Sequence, residues 1–316
     1  MDNSTVVFLI PVFAMILDYY LGDPSWFPHP VRYLGMALDW YDKWVRSLTL
    51  SPKIMGGVGV VGFCLVIFSV LKIFLAIPFI GVIIALYLAY AGLALGGLLS
   101  ECRKGATLLD QGNIEAARKA ISQLVSRDVS NLDEAGLRKA LAETTSENLN
   151  DGFVAPFFYL VVTGPAGMWV YKTVSTMDSM WGYKNEQYKE FGYYAAKADD
   201  VLAFIPARIT AFMMLAAGRF LKLDWERTYE NLIEDAGKSE SPNAGWPMAA
   251  AAWLLGAQMG GKAVYFGEEK EKPVMGPVGE WTSLKLKKLG TLMLFSGILS
   301  AILLNTYFLL VWLSEM

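Results

Sequence analysis

A chain of 316 residues with 54% hydrophobic side chains and a mean hydropathy of +0.37 is too apolar for an ordinary soluble domain. A formal charge of −3 and a pI near 5.4 supply no basic stripe, which excludes a nucleic-acid-binding reading. His29 is the single histidine, so multi-histidine metal sites are excluded, and Cys64 and Cys102 form neither a disulfide framework nor a zinc spacing.

The first apolar segment is Thr5–Leu21, shorter than the later ones and carrying Asp18, and it is expected to be the first span. No basic stretch precedes it, so cleavage as a signal peptide is not expected. Gly22-Asp23-Pro24 and His29-Pro30-Val31-Arg32 follow. Their Gly and Pro content describes a rigid turn; the functional alternative fixes Asp23, His29 and Arg32 at the membrane surface as ligands, and spacing alone favours the turn. The block Ile54–Leu99, interrupted by Lys72 and Pro78, reads as two spans over 54–75 and 77–99. Gly57 through Gly62 matches the dinucleotide fingerprint as a string, but no strand precedes it and it lies inside a span, so close helix packing explains it. No P-loop string occurs in the sequence. Lys and Arg are dense in 100–152 and fair in 22–53, which assigns both stretches to the cytoplasm by the positive-inside bias.

Polar residues then crowd together. Ser126-Arg127-Asp128 is followed by Glu143, Glu147, Asn148, Asn150 and Asp151, just ahead of the apolar run from Phe153. Positions 143, 147 and 151 share one face of a 3.6-residue helix. Like charges at this spacing repel by roughly 0.2–0.5 kcal/mol per pair, so cations are expected opposite them, either Lys/Arg or Mg²⁺. The competing reading is a solvated acidic face with Arg138 and Lys139 alongside.

Phe153–Val174 and Val201–Leu221 are apolar but broken by Gly164-Pro165-Ala166-Gly167 and by Pro206-Ala207-Arg208, and the Ala-rich run Met248–Met259 is too short to span. The stretch 153–288 is therefore expected to be a membrane-apposed or re-entrant helical region, followed by a last span over 289–313. Within it, Asp178 through Asn185 mixes charge, hydroxyl, amide and aromatic groups, and Asp199-Asp200 precede the segment holding Arg208. Ser241 through Pro247 reads as a turn leading into a helix, with Ser241 or Asn243 as its cap. The fold class is all-α: one membrane-embedded helical domain over 1–316, with a polar active site at the cytoplasmic membrane face.

Taken in order, these residues resemble the adenosylcobinamide-phosphate synthases of cobalamin biosynthesis, the CobD/CbiB membrane proteins. The similarity runs almost end to end. It includes Leu17-Asp18, Gly22-Asp23-Pro24, His29-Pro30-Val31, Ser126-Arg127-Asp128, Glu143, Glu147-Asn148, Asp151-Gly152 and Ala155-Pro156. It continues through Thr176, Asp178-Ser179-Met180, Gly182-Tyr183, Asp199-Asp200 and Pro206-Ala207-Arg208. It closes with Ser241-Pro242-Asn243, Gly260-Gly261, Tyr265, Gly267, Pro273 and Gly276. The chain departs from the family pattern at Ser175 and Ala203, where Asn is usual, and at Lys197, where Arg is usual.

The resemblance implies an ATP- and Mg²⁺-dependent ligation that joins a carboxylate of the corrinoid adenosylcobyrate to the amine of aminopropanol phosphate or a similar amino-alcohol phosphate. It implies metal ligation by Glu143, Glu147 and Asp151, and catalytic carboxylates among Asp178, Asp199 and Asp200. Substrate contacts would come from Asp23, His29, Arg32, Arg127, Asp128, Asn148, Ser179, Tyr183, Lys184, Asn185, Arg208, Ser241 and Asn243. The expected surroundings are the lipid bilayer of the inner membrane, with other late cobalamin-pathway enzymes or a second copy as protein partners and no nucleic acid. Two other classes stand against this reading. A transporter would carry ionisable residues in the middle of firm spans or inverted repeats. A non-catalytic membrane sensor, like the related AmpE proteins, would lose the Asp/Glu/Asn/Arg clusters that this chain keeps.

Overall fold

The structure, a computed structural model, describes residues 3–24, 28–265 and 267–314. In chain order the first helices are α1 (Asn3–Leu21), α2 (Pro30–Arg46), α3 (Pro52–Leu75), α4 (Ile80–Gly92), α5 (Leu95–Asp110) and α6 (Ile114–Ser122). Then come α7 (Glu134–Leu149), a π turn (Asn150–Val154), α8 (Ala155–Trp181), α9 (Tyr193–Leu202) and α10 (Phe204–Phe220). The chain continues through α11 (Trp225–Gly237), α12 (Gly245–Leu255), β1 (Met259–Tyr265), β2 (Glu268–Met275) and α13 (Ser283–Ser314). The all-α reading holds, with one antiparallel hairpin as the exception among the described residues.

Four helical stretches are long and apolar enough to cross a membrane: Pro52–Leu75, Ile80–Asp110, Glu134–Trp181 and Ser283–Ser314. Helix α3 is the plainest. Pro52 opens it at a position where the missing N–H costs nothing, and 24 residues rise about 36 Å, enough for a hydrocarbon core. Ile54, Val58, Val61, Leu65, Val66 and Ile73 are exposed along it, which only an apolar surrounding tolerates. This is an integral membrane protein. The apolar part of α1, Leu9–Leu21, is shorter than a span.

The segment from Phe153 departs from expectation. Gly164-Pro165 does not end the helix; α8 runs on for 27 residues with a kink at Gly164, whose φ is 74°. A proline ring disfavours α geometry in the residue before it, and glycine absorbs this by taking a positive φ.

Contacts divide the chain into two compact units, interleaved in sequence. The first comprises Met1–Ala94, Ala155–Ala203 and Leu304–Met316. Its α2 is apolar on two faces. Leu34, Leu38, Tyr41 and Val45 pack with Met177, Trp181, Phe191 and Ala195, and the Tyr41 hydroxyl donates to the Met55 carbonyl at 2.7 Å. Tyr33, Met36, Trp40 and Trp44 are exposed on α2, with the rings of Trp40 and Trp44 stacked 6.1 Å apart; amphipathic rings of this kind favour membrane–water boundaries.

The second unit comprises Leu95–Val154 and Phe204–Leu303. Asn113, Asp133 and Asp224 cap α6, α7 and α11 through their side-chain oxygens. Helix α12 is too short to span but is buried on nearly every side, and Ala249 to Ala252 let its neighbours approach closely. Asp235 on α11 ties the layers together. It accepts from the Trp253 indole at 2.6 Å, from the Gly276 N–H at 2.7 Å and from the Lys238 ammonium at 2.5 Å. Burial pushes its carboxyl up, but these three donors outweigh burial and leave it below the ordinary carboxylate range.

Candidate functional site

In the second unit the hairpin lies against α7 through a buried ion pair. Arg127 donates to Oε2 of Glu143, with side-chain exposures of 9% and 1%. The other oxygen of Glu143 accepts from the Gly260 N–H at 2.6 Å. Gly260 sits at the register break of β1 with φ 84°, and a Cβ there would meet the Pro273 carbonyl oxygen at 2.0 Å, so the contact requires glycine. The carbonyl of Gly260 accepts from the Lys139 ammonium at 2.8 Å. A backbone bond from Asp128 to the Val264 carbonyl holds the Arg127 segment beside the same strand. The backbone and hydroxyl of Ser130 donate to Asp128 and hold its carboxyl below the ordinary range.

Glu147, one turn beyond Glu143, is different. It is half-buried and, among the described residues, makes no hydrogen bond or ion pair. The charges of Lys272, Arg127 and Glu143 act on it, and Lys272 itself rests over the Tyr265 ring at 5.1 Å. Asn148 is turned back onto its own helix, donating to the Thr144 carbonyl at 2.9 Å. Asp151 lies in the π turn that follows α7, and Asn150 donates to its carboxylate at 2.7 Å. Asn150 in turn accepts from the Thr210 hydroxyl at 3.1 Å. Among the described residues no three His, Cys, Asp or Glu side chains come close enough to hold an ion. Both oxygens of Glu143 are engaged, so Glu143 does not suit a metal. Glu147 does suit Mg²⁺, which is commonly held by one or two carboxylates together with substrate phosphates.

Arg208 on α10 forms a second polar group of this unit. Its Nη1 donates to the Phe204 carbonyl at 2.8 Å and to Oδ1 of Asn243 at 3.0 Å. The guanidinium lies 3.4 Å from the Phe204 ring centroid and 4.7 Å from that of Trp246. Among the described residues it has no carboxylate partner. A guanidinium held by rings and an amide keeps its charge for an anionic group that arrives from outside. Ser241 accepts from the N–H groups of Asn243 and Ala244 at 3.3 Å, so Ser241 closes the turn and Asn243 is left to orient Arg208.

The remaining sequence candidates belong to the first unit. His29 caps α2 by accepting from the Val31 N–H at 3.3 Å, and its Nε2 lies 3.4 Å from Asp23. Tyr87 and Tyr90 donate to the Pro28 and Gly22 carbonyls and pin this loop to α4. Arg32 is in the first turn of α2. Asp178 and Ser179 end α8; Ser179 donates to the Ser175 carbonyl at 2.9 Å, and the Gly182 N–H donates to the Asp178 carbonyl at 2.7 Å. Asn185 accepts from the Tyr188 N–H at 3.0 Å, which makes it a turn-forming residue. Tyr183 lies 6.4 Å from the Tyr188 ring, and Lys184 is exposed between them in sequence. Asp200 is paired with Lys197 at 2.8 Å, and the Tyr159 hydroxyl, within the field of Asp199, donates to the Leu202 carbonyl at 2.9 Å.

Comparison with known proteins decides the family. The profile described as CobD/Cbib protein matches residues 11–293. The chain belongs to the CobD/CbiB family. It is 36% identical over 274 residues to the cobalamin biosynthesis protein CobD of Clostridium perfringens, covering 84% of this chain and 86% of that one. To the protein of the same name from Photorhabdus laumondii it is 37% identical over 271 residues, covering 83% and 85%. To that from Leptospira interrogans it is 34% identical over 298 residues, covering 92% and 94%. No solved structure matches it. In this CobD/CbiB protein the three departures from the family pattern sit at α8–α9 positions of the first unit: Ser175, the Asp200-paired Lys197, and the fully buried Ala203.

Spacing alone did not single out Lys139, Lys272, Gly260 and Trp246 as site residues. Lys139 stood out only as a neighbour of the acidic face, and Gly260-Gly261 only as part of the family pattern. A glycine pair at the start of a charged hairpin is the signal for Gly260 and Lys272; Lys139 on α7 and Trp246 on α12 carry no such local signal.

Proposed function

We propose that this CobD/CbiB protein joins a carboxylate of adenosylcobyrate to the amine of an amino-alcohol phosphate, using ATP and Mg²⁺ and forming adenosylcobinamide phosphate. The observation that carries the reading is the state of Glu147: a half-buried carboxylate with no hydrogen bond or ion pair among the described residues, under the charge of Lys272, which has no carboxylate partner among them either. Such an arrangement suits a phosphoryl-transfer site, where cations hold phosphate oxygens and one carboxylate faces them across the metal.

In the reaction, an oxygen of the corrinoid carboxylate attacks the γ-phosphorus of ATP and ADP leaves, giving an acyl phosphate. The amine, having lost a proton, attacks the acyl carbon and inorganic phosphate departs as the amide forms. Bound Mg²⁺ supplies charge neutralisation on the transferring phosphoryl group. Glu147 would hold it, with Glu143 kept as a structural partner of Arg127. Arg208 would bind a phosphate or carboxylate through its planar fork. A carboxylate base takes the ammonium proton. Because ATP is cytoplasmic, we place the site on the cytoplasmic face of a multi-pass inner-membrane protein.

The test is product formation by the purified full-length protein in nanodiscs. Adenosylcobinamide phosphate should form when ATP, Mg²⁺, adenosylcobyrate and aminopropanol phosphate are all present, and omission of any one should abolish it. Corrinoid binding without any amide product under these conditions would favour the non-catalytic sensor.

A further inference from the structure

Two clefts in the second unit share Gly136 and Lys139 in their walls. The larger, about 350 Å³, is lined on one side by Asp133 and Gly136 at the start of α7 and on the other by Gly260, Gly261 and Glu280. The smaller, about 210 Å³, extends past Arg127 and Lys262. The charges in their walls are not equivalent. Lys262 is paired with Glu269 at 2.7 Å, and Arg127 is spent on Glu143. Lys139 alone among these cations has no carboxylate partner within the described residues; its one recorded bond is to the Gly260 carbonyl. An ammonium carries three donors, so two remain. Gly261, at φ 83°, lines the wall within van der Waals reach of the ammonium.

The carboxylates follow the same pattern. Asp133 is used as the cap of α7, accepting from the Gly136 N–H at 2.8 Å. Glu280 is exposed and makes no hydrogen bond or ion pair among the described residues. The larger cleft therefore offers one cation without an ion pair, Lys139, and two carboxylates without one, of which Asp133 is held at the N-terminus of α7 and Glu280 has no partner among the described residues. Among the substrates of the ligation, the amino-alcohol phosphate is the small zwitterion, with a phosphate at one end and an ammonium at the other.

We propose that this cleft is the binding site for the amino-alcohol phosphate, with Lys139 seating the phosphate and Glu280 the ammonium. The identity of the ligand rests on the ligase reading above; the charge pattern of the cleft does not. A nucleotide phosphate shares the chemistry of the phosphate end, so the experiment separates the two sources.

Binding is measured by calorimetry on the full-length protein in nanodiscs, with aminopropanol phosphate, propyl phosphate and a non-hydrolysable ATP analogue as probes. Lys139→Gln should weaken aminopropanol phosphate and propyl phosphate at least tenfold and leave the ATP analogue unchanged. Lys139→Arg, which keeps the charge, should bind within about threefold of the parent. Glu280→Gln should weaken aminopropanol phosphate about fivefold and leave propyl phosphate, which has no amine, unaffected. Glu280 lies on an exposed surface, so this variant stays informative if Lys139→Gln disturbs the hairpin. A loss in Lys139→Gln that falls on the ATP analogue alone overturns the assignment, as does unchanged binding of all three probes. Ligation by Lys139→Gln with the parental KM for the amine would overturn the cleft and spare the ligase reading. Tight binding of aminopropanol phosphate by a parent protein that forms no amide would overturn the ligase reading and spare the cleft.

Discussion

Glu143→Gln removes the charge from the buried pair that fastens the hairpin to α7 while keeping the shape of the side chain. Glu143 and Arg127 are 1% and 9% exposed, so the guanidinium left behind cannot recover its hydration. Taking one partner from a buried pair costs about 3–5 kcal/mol, most of it the desolvation of the orphaned charge. The Gln amide oxygen can still accept from the Gly260 N–H, so that hydrogen bond adds little to the loss. At about 2–4 °C per kcal/mol for a domain of this size, the apparent Tm should fall by roughly 6–20 °C. Scanning fluorimetry of the purified protein in detergent reads this directly from its tryptophans. The double variant Arg127→Met/Glu143→Gln removes both charges and should regain at least half of the loss, because no charge is then stranded. A single variant within 2 °C of the parent, or a double variant less stable than the single, would refute a buried pair at this place.

Three further outcomes follow from the site. Glu147→Gln should melt like the parent, since it breaks no contact among the described residues, yet lose ligation at least about a hundredfold in kcat, the scale of a displaced catalytic carboxylate; parental turnover at limiting Mg²⁺ would remove Glu147 from the mechanism. Arg208→Lys keeps the charge and loses the fork, so KM for one phosphate- or carboxylate-bearing substrate should rise about ten- to hundredfold with an unchanged Tm, and steady-state kinetics with each substrate varied in turn would expose a purely structural role. Asp235 has a lowered folded-state pKa, so its contribution is present above the unfolded carboxylate value and is lost as pH falls through the folded one. Melting scans from neutral pH into the acid range should therefore show a shallower acid loss in Asp235→Asn than in the parent, and superimposable slopes would deny the depressed pKa.

Much of the membrane architecture was legible because apolar length is a local property. The runs at 54–75 and 289–313 lie within the helices Pro52–Leu75 and Ser283–Ser314. Gly164-Pro165 misled for an equally local reason: the pair reads as a helix end, but a positive φ at the glycine lets the helix resume. The hairpin was invisible, since Glu268-Glu269-Lys270-Glu271-Lys272 carries no apolar alternation and is made a strand by its pairing with β1. At the site, spacing brought out Glu143, Glu147 and Asp151 together, but their different fates depend on distant partners. Glu143 is claimed by a backbone N–H 117 residues further on, and Asp151 accepts from Asn150, which the Thr210 hydroxyl, 60 residues away, holds in turn. The charge of Arg208 in an apolar segment was legible; its ring and amide cradle, supplied by Trp246 and Asn243, was not.

The central claim is that the corrinoid carboxylate is activated by phosphoryl transfer before the amine attacks. Adenosylcobyrate labelled with ¹⁸O in the reacting carboxylate tests it in one experiment on the purified protein, with the released phosphate and the corrinoid product analysed by mass spectrometry. The account predicts one labelled oxygen in each inorganic phosphate released and one retained in each amide formed. Amide formation with unlabelled phosphate, or ATP turnover with no amide at all, would contradict it.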